Sequence, residues 1–291
     1  MQNFIYQLVG YVLSEKIKVV NVGGTIEQAL AGKYQINIQA VLSEAWDNIK
    51  SSRLSINLSL LFVLVLGTIV SLVVSNFFGG IEHVMQQAQA ADHNSTALQI
   101  INVVVTMAIW PFVAGIEMIG VTHAVKKPIH PKMVWGYLHR GSWVALCALL
   151  TSILISVGLQ FLILPGIALA ALLSLSIPLV VEKKLSPLQA IVISIRSLRF
   201  SLLPLIAIYA ILLMCLLMLA LPMVLLLKSD LLLLAVIAFL YGLSYLAPWF
   251  YNVKGILYRE TFGVLCTVND QDDCATSPSS SGSDFDDSFS A

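Results

Sequence analysis

Glu117 is the one carboxylate in residues 98–125, a run with no Asp, Lys or Arg. A charge inside hydrocarbon costs several kcal/mol, so such a group faces a cavity, pairs with an opposite charge or takes up a proton, which makes it a functional candidate. It lies about 13 Å along a helix axis from Lys126, so a structural pairing near the membrane interface is the competing reading. A second candidate is the polar stripe Ser152, Ser156 and Gln160, whose spacing of four puts all three on one helical face. Gly67, Ser71 and Ser75 repeat that spacing. Small and polar residues at such intervals either let helices pack closely or line a polar path, and close packing is the simpler account. A third set, Lys50, Arg53, Arg196 and Arg199, suits lipid headgroups or a protein partner, although membrane topology alone also places cations at span ends.

Other chemistry finds little footing. Glu82-His83 and Asp92-His93 are metal-ligating types with no helical register joining them. Gly32-Lys33 is no phosphate loop, because Tyr34 replaces the Ser or Thr that must hold magnesium and Glu27 replaces the first glycine. There is no His-Glu-x-x-His, Gly-x-Ser-x-Gly or Cys-x-x-Cys motif. Of four cysteines, Cys147 and Cys215 fall within apolar runs, and Cys266 and Cys274 lack the second pair that a zinc site needs. The expectation is a protein with no catalytic residues, metal or cofactor.

The elements that must position these residues are membrane helices. The 291 residues are 58% hydrophobic and 11% charged, with a mean hydropathy of +0.88, outside the range of water-soluble domains. Sixteen basic residues balance sixteen acidic ones, so no overall positive excess points to nucleic acid. A span needs roughly 20 apolar residues. Residues 56–78 and 98–125 supply two, the second with a kink expected at Trp110-Pro111. Residues 143–181 are uncharged and about 58 Å long as one helix, too long for a bilayer, so a turn at Pro165-Gly166 is expected between spans at 143–164 and 167–181. The fourth span is short and either crosses or re-enters. Residues 201–227 and 231–253 complete an all-α, six-span bundle, joined by the turn Lys228-Ser229-Asp230. This threading puts fifteen of the sixteen Lys and Arg residues on one flank, with Lys228 opposite, so both termini are expected to be cytoplasmic.

The chain divides into a segment 1–37, a membrane domain 38–264 and a tail 265–291. The first twenty residues lack a basic opening and a small-residue cleavage site, and read as an amphipathic helix rather than a signal peptide. Residues 42–55 (LSEAWDNIKSSRLS) and 188–201 (LQAIVISIRSLRFS) align without gaps, matching Lys50 with Arg196 and Arg53 with Arg199. Each is an amphipathic helix leading into a span. The second begins with a capping box at Ser186-Pro187-Leu188-Gln189, and Asn37 is placed to cap the first. Spans one and two thus correspond to five and six, though the region around Ile256 has no acid to match Glu117. The tail from residue 268 holds six aspartates and no Lys or Arg, a composition of disordered chain, and leaves sixteen basic against ten acidic residues in the body.

Leu164-Pro165-Gly166, Pro178, the amphipathic segment from Ala190 to Ser197 and the terminal APWFYNVKGILYRE resemble the YciC-type family of bacterial inner-membrane proteins. That family is similar to the membrane domain found ahead of some glycerophosphodiester phosphodiesterases, whose catalytic domain has no counterpart here. The resemblance covers about residues 38–264 and implies the fold and the bacterial inner membrane, not an activity. The expected role is a non-catalytic membrane protein that organises lipids or a partner at its cytoplasmic face. A small-solute or ion transporter with a polar site near Glu117 is the alternative, and a membrane-embedded enzyme the third. Membrane lipids and a cytoplasmic-face protein are the expected partners.

Overall fold

The computed structural model describes residues 19–82, 84, 86, 96–226 and 231–267. Six stretches are long and apolar enough to cross a membrane, so the chain is an all-α multi-pass bundle. A short strand β1 (Val19–Val22) leads through α1 (Ile26–Leu30) and α2 (Ile38–Asp47) into the first spanning helix, α3 (Ile49–Asn76). The second span is α4 (Thr96–Ala124), which houses Pro111 without ending. A small helix α5 (Met133–Gly136) precedes α6 (Gly141–Phe161), the third span. The fourth is built from α7 (Ile163–Leu173) and α8 (Ser176–Glu182). Helix α9 (Pro187–Leu198) feeds the fifth span, α10 (Leu202–Leu225), and α11 (Leu232–Phe262) is the sixth. A final strand, β2 (Val264–Thr267), pairs antiparallel with β1.

The turn between the third and fourth spans falls at Leu162, whose backbone is extended (φ −160°, ψ 139°), three residues before the expected Pro165. Pro165 instead stands in the first turn of α7, where its missing N–H removes no helical hydrogen bond. Gly166 serves approach rather than turning, since a Cβ there would lie 2.7 Å from the Leu159 backbone nitrogen of α6. The fourth span is not the single short helix expected but two helices broken at Ser174-Leu175. The break exposes carbonyls that lipid could not satisfy. The hydroxyls of Ser176 and Ser194 donate to the Leu173 and Leu172 carbonyls at 2.7 and 2.5 Å, and residues 176–181 are buried.

The strand pair also moves both expected domain boundaries. Val19 opposes Thr267 and Val22 opposes Val264, so residues 19–37 and 265–267 belong to the folded body and both chain flanks meet at one end. Four-residue strands whose partners stand 242 to 248 positions apart leave no periodicity to read. Residues 1–18 of the amphipathic helix expected over the first twenty, the acidic stretch from residue 268 and the turn at residues 228–230 lie outside the described residues, while Val19 and Val20 belong to β1 rather than to a helix.

Both expected caps form. Asn37 Oδ1 accepts from the Ala40 N–H at 3.2 Å, and Ser186 and Gln189 close a reciprocal capping box at 3.4 and 3.3 Å. Replacing Ser186 by Ala is expected to cost about 1 kcal/mol of stability, read as a lower melting temperature in mild detergent, with Gln189→Ala producing a smaller loss. The repeat is less regular in structure than in sequence. Its first copy breaks at Asn48, so that Arg53 lies inside α3, whereas the second stays helical to Leu198 and leaves Arg199 in a 3-10 turn.

Candidate functional site

Helices α4 and α11 cross backbone against backbone. A Cβ at Gly120 would lie 2.3 Å from the Tyr251 carbonyl oxygen, and one at Gly255 would lie 2.2 Å from that of Gly120. Glu117 is almost one turn before Gly120, and Lys254 directly precedes Gly255. Across this contact Lys254 Nζ donates to Glu117 Oε1 at 2.5 Å, with Glu117 3% and Lys254 8% exposed. The candidate carboxylate therefore has a counter-ion inside the bundle rather than at Lys126. Its second oxygen, Oε2, is buried without a hydrogen-bond partner among the described residues.

Sequence reading missed Lys254 because span six was closed at residue 253, one position short. A signal was present. Pro111 stands six residues before Glu117 within α4, and Pro248 six residues before Lys254 within α11, giving Pro-Phe-Val-Ala-Gly-Ile-Glu and Pro-Trp-Phe-Tyr-Asn-Val-Lys. The same proline-to-charge spacing thus precedes both members of the pair, an acid in α4 and a base in α11.

Beyond Pro248, α11 continues as a buried helix because polar groups from other elements receive it. Trp249 Nε1 donates to the Leu42 carbonyl at 3.1 Å, and Asn252 Nδ2 to Ser52 Oγ at 2.8 Å. Arg259 makes a bidentate pair with Glu44 at 2.6 and 2.8 Å and also donates to the Ala124 carbonyl at 2.7 Å. The Tyr258 hydroxyl donates to Glu182 Oε2 at 2.5 Å, and Glu182 Oε1 accepts from the Leu265 N–H at 2.9 Å. These bonds tie α2, α3, α4, α8, α11 and β2 together at the end where the chain flanks meet.

The other candidates separate from Glu117. Ser152, Ser156 and Gln160 are exposed on the outward face of α6, while Cys147, Thr151 and Gly158 face inward. Spacing alone could not choose between those faces, because a hydroxyl on a membrane helix can be satisfied by its own backbone. Thr151 bonds the Ala148 carbonyl in this way at 3.0 Å. Gly67 does serve packing, meeting Ile109 of α4. Lys50, Arg196 and Arg199 are exposed, the last with its guanidinium 4.6 Å from the Phe200 ring centroid.

Arg53 behaves differently. Its Nη2 donates to Ser244 Oγ of α11 at 2.8 Å, and its guanidinium carbon lies 3.8 Å from the Tyr245 ring centroid and 5.8 Å from that of Tyr241. Asn57, one turn further along α3, donates to the Ser244 carbonyl at 2.8 Å. At Asn57 and Ser244 begins a cavity of about 1260 Å³ between α3, α4, α10 and α11. Leucine is the commonest residue of its wall, which Tyr209 and Tyr251 also line.

Among the described residues no three His, Cys, Asp or Glu side chains gather to hold a metal. His83, Asp92 and His93 fall outside the described residues. Comparison with family models, with curated proteins and with solved structures returned no match.

Proposed function

We propose that this protein is a non-catalytic, multi-pass protein of the bacterial inner membrane that binds membrane lipid, organising lipid or a protein partner at its cytoplasmic face. The observation that carries the reading is the cavity between four spanning helices, large and apolar, whose natural contents in a bilayer are hydrocarbon chains. The one-sided distribution of Lys and Arg supports cytoplasmic termini, and the capped amphipathic helix α9 that follows the hairpin of spans three and four supports the YciC-type resemblance. Transport built on Glu117 is the weaker alternative, since the carboxylate that would bind a solute or carry a proton is already engaged by Lys254.

Full-length protein purified in mild detergent and exchanged through several column volumes is expected to retain about one phospholipid per chain, read by phosphorus content and by native mass spectrometry. Phosphorus at the level of a detergent-washed control membrane protein of similar size would remove the support for lipid binding.

A further inference from the structure

Arg53 lies against the rings of Tyr241 and Tyr245, one turn before Asn57. Among the described residues no carboxylate pairs with it; its partners are one hydroxyl and two aromatic rings. A guanidinium presents five N–H donors in a planar fork that matches two oxygens of a phosphate at once, and only one of these bonds is made to Ser244. Leu54 and Leu58 on the same helix are exposed and apolar, as expected of a surface that meets hydrocarbon. A lone charge at such a boundary is stable only if it reaches water or meets an anion.

Ser244, whose hydroxyl Arg53 holds, and Asn57 are lining residues of the cavity. Along α3 it extends from Asn57 to Leu72, about 22 Å at 1.5 Å per residue, more than half of a 30 Å hydrocarbon core. Leu61, Leu64, Leu213, Leu216 and Leu240 line it and are also exposed, so it opens sideways onto lipid rather than upward into water. A cation at one end and a long apolar slot behind it reproduce, in order, the parts of a phospholipid.

From this we infer that the cavity holds an acyl chain of an anionic phospholipid whose phosphate sits on Arg53. The inference rests on the lipid-binding reading and narrows it to a headgroup charge and a residue. A zwitterionic lipid fits less well, because Tyr241 and Tyr245, the aromatic faces that would cradle a choline, are already covered by the Arg53 guanidinium.

The test uses the full chain in detergent, titrated with phosphatidylglycerol or phosphatidylcholine of equal chain length and followed by native mass spectrometry. Three variants accompany the natural protein: Arg53→Gln, Lys50→Gln as a nearby exposed cation, and Leu213→Trp, which fills the cavity from its mouth. Circular dichroism melting establishes that each is folded. The natural protein is expected to bind one phosphatidylglycerol at least tenfold more tightly than phosphatidylcholine, a difference of about 1.4 kcal/mol. R53Q should lose that preference while keeping phosphatidylcholine affinity, K50Q should keep it, and L213W should weaken both lipids tenfold or more. If R53Q retains the preference, or K50Q loses it equally, the headgroup assignment is wrong, while a loss in L213W would still leave lipid binding in the cavity standing. If L213W binds both lipids as the natural protein does, the cavity is not the site. A dimer mass with no bound lipid would overturn both readings in favour of a second copy covering this face.

Discussion

Glu117→Met alone and Lys254→Met alone are each expected to destabilise the protein by about 3–5 kcal/mol, whereas the double variant should unfold close to where the natural protein does. Each single change strips a buried ion of its partner and leaves it where water cannot reach it. Removing both deletes the two desolvation costs together with their mutual attraction, and methionine fills the space of either side chain with a flexible apolar chain. The measurement is a double-mutant cycle on unfolding by sodium dodecyl sulfate titration, with coupling expected above about 2 kcal/mol. Additive losses would show that the two groups do not act as a pair. The same set speaks to transport: a carboxylate that bound a solute would lose that function in the double variant even with stability restored.

How much of this was legible in the sequence depended on how local each feature was. Six apolar runs, the Asn37 cap and the Ser186 capping box are set by residues within one turn or one span of each other, and all are present in the fold. The hairpin turn was legible to within three residues, the displacement arising because proline is as well suited to the first turn of α7 as to the loop. Features that depend on a distant partner were not legible. Lys254 read as one more cation at a span end, because its only local mark, the proline six residues before it, gains meaning only beside Pro111 and Glu117 in another helix. Arg53 and Arg199 matched in sequence, yet only Arg53 meets another span, since the helix break falls before it in one copy and the 3-10 turn includes the arginine in the other. The Ser152, Ser156 and Gln160 stripe was a correct reading of one face and a wrong choice of which way it points.

Gly255→Ala is expected to be among the most damaging single-methyl additions in the molecule, and Gly120→Ala nearly as damaging. At both positions the new Cβ would lie within 2.4 Å of a main-chain carbonyl on the opposing helix, and backbone cannot swing aside as a side chain can. The helices must separate, which loosens the packing that small residues make possible in a membrane and draws the Lys254 ammonium away from Glu117. Overpacking ordinarily costs about 1–3 kcal/mol. Here part of the ion-pair attraction is forfeited as well, so the loss should reach or exceed the top of that range. Two other glycines calibrate the effect. A Cβ at Gly67 would meet only the Cδ1 end of Ile109, at 2.6 Å, which a rotamer change relieves, and one at Gly136 would meet nothing within 4 Å. On detergent melting curves the order of loss should therefore be Gly255→Ala, then Gly120→Ala, then Gly67→Ala, with Gly136→Ala close to unchanged. Were Gly255→Ala to melt with Gly136→Ala, the α4–α11 crossing would not be as close as the structure has it, and the geometry of the Glu117–Lys254 pair would fall with it.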